Sequence, residues 1–200
     1  MKKSNVRNLT FIAVFAAIIA IISFLPIKTF GLEITLSMVP VAVGAICFGP
    51  LVGAILGGVF GVVSFLQCLG WSAFGVALLG INPILTAIVC IPTRIVAGWI
   101  TGLIFKAFEK SGHANTGYVV SSFSAALLNT TLFMSALILS FYNTDFIQGI
   151  AQQLGAVNPV SFVLIFVGIN GVVEIIAGFI LAAPCAKALS SFVKKLNLNS

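Results

Sequence analysis

Read for polarity alone, the chain is a series of long apolar runs parted by short polar intervals. The apolar runs cover about 8–25, 36–48, 51–69, 84–108, 117–141 and 160–193. A helix needs about 20 apolar residues to cross a hydrocarbon core. The spacing therefore predicts six transmembrane helices in a single domain, 1–200. The short second run ends at Gly49-Pro50, which opens the next helix, since a proline in the first turn gives up no hydrogen bond. Gly49, Gly53, Gly57 and Gly61 then recur every four residues. That ridge predicts close packing against another helix.

Composition strengthens the membrane reading. The chain is 60% hydrophobic and 7% charged, with mean hydropathy +1.21. Too little polar surface remains to cover a soluble globule, so the expected class is an all-α integral membrane protein. The net charge of +6 does not point to nucleic acid, because the basic residues flank apolar runs. With six spans, Lys2, Lys3, Arg7, Lys106, Lys110, Lys187, Lys194 and Lys195 fall on one side and Lys28 on the other. The positive-inside rule makes the crowded side cytoplasmic, together with both termini. The N-terminal 26 residues have the basic start and apolar core of a signal peptide but lack a small-residue cleavage site, and are read as the first span.

Four cysteines, Cys47, Cys68, Cys90 and Cys185, lie in or beside apolar segments without a Cys-x-x-Cys spacing, and His113 stands alone in a polar loop. Buried thiols are expected rather than a metal or disulfide framework. No metal or cofactor is implied. Asn129-Thr130-Thr131 matches a glycosylation acceptor, but within a predicted span the match carries no meaning.

The candidate chemistry sits inside the apolar runs. Arg94, with Pro92 just before it, falls within the fourth run. An arginine at the centre of a spanning helix costs roughly 2.5–3.5 kcal/mol and normally faces a bundle interior or a wet cavity. Glu174 is the one comparable anion, and Asn170 lies four residues before it, on the same helical face. Counting along the helices brings Arg94, Asn129, Asn170 and Glu174 to similar depth. The stretch from Gln67 to Pro83 is too hydrophobic for a free loop and reads as a cap over a pocket on the outer side, with Trp71 at the membrane surface and Asn82 facing the site. A guanidinium grips a carboxylate or phosphate with two parallel bonds, and carboxamides satisfy hydroxyls or peptide-like groups. The implied ligand is a small, polar anion. The competing reading is that Arg94 and Glu174 simply pair to hold the bundle. Catalysis is disfavoured, since no histidine or second carboxylate is buried and no phosphate-binding loop exists to hydrolyse ATP.

The alanine-rich first run AVFAAIIA, the segment VPVAVGAICFGPLVGAILGGVFG and the polar positions of the last three spans together resemble the substrate-binding S components of energy-coupling factor (ECF) vitamin transporters. The resemblance covers nearly the whole chain, and the middle segment is its most specific part. It implies a six-helix unit of a bacterial plasma membrane that captures a vitamin from outside, associates with a transmembrane coupling subunit and two ATPases, and topples in the membrane to deliver its cargo. Ala13, Ala16, Ala17 and Ala20 match the face that contacts the coupling subunit. The residues around Gln67-Cys68, Asn82-Pro83 and Pro92-Thr93-Arg94 look most like the pantothenate-type members. Riboflavin- and pyridoxine-type ligands stay open, as do an autonomous carrier using Glu174 and an intramembrane enzyme acting on a lipid.

Overall fold

The computed structural model describes residues 3–24, 27–29, 32–34 and 36–198, with the side chains of 3–8, 27–34, 169, 170, 173, 177, 194 and 196–198 outside the description. The order is α1 (Lys3–Ser23), a hairpin of β1 (Ile27–Thr29) and β2 (Leu32–Ile34), then α2 (Met38–Phe48), α3 (Pro50–Gln67), α4 (Ala73–Ile81), α5 (Pro83–Lys110), α6 (Ala114–Phe141), α7 (Asp145–Gln153) and α8 (Pro159–Leu198). Among the described residues, 50–67, 83–110, 114–141 and 174–193 are long and apolar enough to cross a membrane. The helical stretches 9–23, 38–48 and 159–168 are apolar but shorter.

Three intervals expected as loop or cap carry structure of their own. The 26–35 interval holds the antiparallel hairpin, Lys28 opposite Glu33. The Gln67–Pro83 cap contains α4, and the polar 143–159 interval contains α7. Local capping explains both short helices. The Ser72 side chain accepts from the Gly75 amide at 3.3 Å, and Thr144 accepts from the Ile147 amide. Each thereby satisfies a backbone donor that a helix start leaves open.

The glycine ridge sets the central packing. On α3, Gly53, Gly57 and Gly61 lie directly on the α5 backbone. A methyl at Gly53 would strike the Gly98 carbonyl, one at Gly57 the Arg94 carbonyl, and one at Gly61 would come within 2.8 Å of the Ile91 Cα. Gly102 meets Pro50 in the same way, so the two helices run antiparallel with main chain against main chain. Such closeness is open only to small residues, and in lipid it is the packing itself that favours association. Gly49, at φ 95°, makes the sharp break that lets α3 start where α2 stops.

Two apolar clusters flank this seam. One gathers Ile19, Val41, Leu56, Phe60 and Ala97; the other gathers Leu78, Leu137, Phe141, Ile147 and Phe162. The last helix is not continuous: Gly168, at φ 25° and ψ −122°, interrupts α8. A left-handed backbone angle there is one that glycine tolerates and a β-carbon resists.

Candidate functional site

Pro92 lies inside α5, two residues before Arg94. A proline inside a helix removes one backbone donor and disturbs the preceding turn. In that turn the Val89 carbonyl accepts from Thr93 Oγ1 at 2.6 Å and from Arg94 Nη1 at 3.1 Å, and the Cys90 carbonyl accepts a second Nη1 bond at 3.1 Å. One edge of the guanidinium is therefore pinned to its own helix. Two rings from outside α5 also meet it, with the central carbon 5.1 Å from the centre of the Phe60 ring of α3 and 4.7 Å from that of the Phe133 ring of α6. A desolvated cation over an aromatic face gains about 2 kcal/mol or more, and two rings offset much of what burying the charge costs.

What these contacts leave open is informative. Arg94 is only 7% exposed, yet its Nε–H is buried without a hydrogen-bond partner. Asn129 Oδ1 is likewise buried and unpartnered. Both residues line one cavity of about 150 Å³, whose walls come from α3, α4, α5, α6 and α8. The Ser121 and Ser122 hydroxyls of α6 are also buried without a partner, so what singles out Arg94 and Asn129 is that both also line one cavity, where a ligand could supply the partners that buried polar groups normally have. Glu174 lines the same cavity, and a narrower cleft continues past Asn129 and Glu174 between α2, α6 and α8.

Of the residues picked out from sequence, Arg94, Asn129, Glu174 and Gln67 share the cavity wall. Gln67 is held by a bond from Nε2 to the Ser23 carbonyl at 2.5 Å, while the Ser23 and Ser37 hydroxyls bond at 2.7 Å. This polar knot ties the end of α1 to the site. Trp71 and Asn82 do not line the cavity. Trp71 is 67% exposed and packs edge-on against Phe24, with ring centroids 5.2 Å apart. Asn82 caps α5, its Oδ1 accepting from the Ile84 and Leu85 amides at 3.0 and 3.1 Å. The side chain of Asn170 lies outside the described residues. On α1, Ala13 and Ala17 are exposed, and Ala16 and Ala20 partly buried.

Sequence reading missed Phe60, Ser64, Cys68, Phe74, Cys90 and Phe133, all on the wall. Most had a signal. Ser64 and Phe60 precede Gln67 by three and seven residues, Phe133 follows Asn129 by four, and Cys90 precedes Arg94 by four, so each shares a helical face with a residue already singled out. Ser72, Phe74, Gly75 and Leu78 reach the cavity through α4, and Phe74 is fixed there by rings 5.8 Å away on Phe146 and 5.4 Å away on Phe166.

Long apolar helices surrounding a buried, partly unsatisfied guanidinium define a multi-pass membrane protein with an internal polar pocket. The family described as "ECF transporter, substrate-specific component" matches residues 7–186. The chain belongs to that family. It is the transport-binding subunit rather than an enzyme, and such subunits take up substrate together with a transmembrane component and ATPases. No curated protein matches the chain.

Proposed function

We propose that the chain captures a small water-soluble vitamin from outside the cell, with pantothenate as the ligand that suits the cavity best, and passes it to an ATP-driven module. The observation that carries this reading is the pair of orphaned atoms. Arg94 Nε–H calls for an anionic oxygen, and Asn129 Oδ1 calls for an N–H or O–H. Pantothenate offers a carboxylate, an amide N–H and two hydroxyls on a short flexible body. A cavity of about 150 Å³ favours such a compact molecule over the flat ring system of riboflavin; pyridoxine, also compact, lacks the carboxylate. The orientation in this reading has six spans, an outward-facing pocket and both termini in the cytoplasm of a bacterial plasma membrane.

Native mass spectrometry of the chain purified without added vitamin tests the assignment. A co-purified species with the mass of pantothenate, or micromolar or tighter calorimetric binding, is the expected result. Co-purification of a flavin, with no heat from pantothenate, would overturn it.

The exposed pair Ala13 and Ala17 supports α1 as the face for the coupling subunit, because small side chains let a second helix approach closely. Ala17→Trp is expected to abolish co-purification with the coupling subunit while leaving vitamin affinity within about twofold, since the position is exposed. Retained co-purification would move the contact elsewhere.

Glu174 on the cavity wall supports a second reading, an autonomous carrier that moves a proton with its cargo. Uptake into vesicles that contain this chain alone, abolished in Glu174→Gln, would establish it. The first reading predicts no accumulation without the ATPases.

A further inference from the structure

Two cysteines that the proposed site does not use meet inside it. Cys68, just past the end of α3, and Cys90, on α5, both line the Arg94 cavity and are 5% and 4% exposed. Their thiols lie within hydrogen-bonding reach of one another, and that of Cys90 also reaches the Ser64 side chain. Cys68 Sγ donates to the Ser64 carbonyl at 3.3 Å. On one side the pair supports the cap, because Gly75 of α4 rests on Cys68 so closely that a methyl there would come within 2.6 Å of the sulfur. On the other side it borders the anion site, since the Cys90 carbonyl accepts the Arg94 Nη1 bond at 3.1 Å. The other two cysteines have no such arrangement: Cys47 donates to the Ala186 carbonyl at 3.4 Å, and Cys185 is exposed.

We propose that Cys68 and Cys90 form a redox pair that closes to a disulfide between the end of α3 and α5, and that closure weakens the cavity's hold on its ligand. The ligand effect rests on the proposed role of Arg94; the disulfide itself does not. The oxidant is a low-molecular-weight disulfide, R–S–S–R, small enough to enter the cavity. One cysteine thiolate attacks it, releasing a first R–S⁻ and leaving a mixed disulfide. The second thiolate displaces the remaining R–S⁻. Two R–SH leave with the two cysteine protons, so the cysteines lose two electrons and the small disulfide gains them. An S–S bond of about 2.05 Å is far shorter than a thiol–thiol contact. The end of α3, the α4 cap resting on it and the α5 turn that anchors Arg94 must therefore shift together.

The purified full-length chain, treated with the small neutral disulfide 2-hydroxyethyl disulfide, alkylated and digested, decides the matter. The expected product is a Cys68–Cys90 linked peptide, with Cys47 and Cys185 alkylated and the protein lighter by two hydrogen atoms. Closing that loop should raise the melting temperature by about 5–10 °C. Pantothenate affinity should fall by roughly tenfold as the Arg94 anchor moves, and return on reduction. Cys68→Ser and Cys90→Ser should each remove the cross-link and the response to oxidant. Alkylation of all four thiols after oxidation would overturn the proposal, as would a cross-link that leaves both melting and affinity unchanged. Failure of the reduced protein to bind pantothenate would count against the vitamin assignment alone, because the cross-link and the melting shift still decide the redox pair.

Discussion

Arg94→Ala is expected to weaken pantothenate binding by at least about 100-fold while the protein stays folded. The loss follows from removing a charged hydrogen-bond donor from a buried site, where truncating one partner of such a pair costs about 2–5 kcal/mol. The fold should survive for a local reason. The carbonyls that anchor Nη1, those of Val89 and Cys90, belong to the interior of α5, and Val89 keeps its 2.6 Å bond from Thr93. Removing the side chain therefore strands no backbone acceptor, and it relieves the penalty of a buried charge. Phe60 and Phe133 lose a stacked partner, and the void grows. Arg94→Lys sharpens the test. An ammonium keeps the charge and can still sit near the two rings but cannot offer a fork to a carboxylate, so affinity should fall between wild type and alanine. Calorimetry gives the affinities and a thermal melt the folding. Unchanged affinity in Arg94→Ala would remove the guanidinium from the site.

A single methyl on the glycine ridge is expected to do comparable damage by a different route. In Gly57→Ala the new β-carbon would fall on the Arg94 carbonyl, with the carbonyl carbon at 2.8 Å and the Ile95 Cα at 3.2 Å. These are main-chain atoms and cannot swing aside as a side chain would. The helices must separate at the turn that carries Arg94. Overpacking of this kind costs typically 1–3 kcal/mol, so about 3–10 °C of melting temperature is expected to be lost in a protein of this size. Ligand affinity should fall as well, because the displaced segment is the one that aims the guanidinium. Gly58→Ala is the internal control. Its β-carbon would meet only the Ile95 side chain, at 3.5 and 3.7 Å, an ordinary contact. That variant should melt within about 2 °C of wild type, helped slightly by alanine's helix propensity. Equal behaviour of the two variants would mean that α3 and α5 are not in main-chain contact.

Both expectations show how much of the site can be read along one strand of sequence and where such reading stops. Arg94, Asn129, Gln67 and Glu174 attract notice because polar groups are costly in apolar runs, and the fold gathers them around one cavity. Trp71 and Asn82 attract notice for the same reason but do local work. Trp71 covers Phe24, and Asn82 supplies the acceptor that the first turn of α5 needs. A carboxamide that caps a helix and one that waits for a ligand look alike until the neighbouring backbone amides are placed. The aromatic clamp lay further out of reach. Phe60 and Phe133 are ordinary apolar residues in apolar helices, and only the register of α3 and α6 on α5 turns their rings onto the guanidinium.

By itself, the sequence determined the class of protein and its seams: length and polarity of the runs dictate apolar helices that must satisfy their own backbone, and glycines four residues apart dictate a flat face. It also determined that a cation would be buried, since apolar sequence extends too far on both sides of Arg94 for its side chain to reach water. Which groups would meet that cation was decided only by tertiary structure. The main-chain contact of α3 and α5 sets the height of Phe60 against Arg94, α6 brings Phe133 and Asn129, and the short helix α4 adds to the wall residues that no polarity pattern distinguishes. The reason is physical: helical periodicity fixes which residues share a face, whereas the partner of that face depends on how closely two backbones can approach.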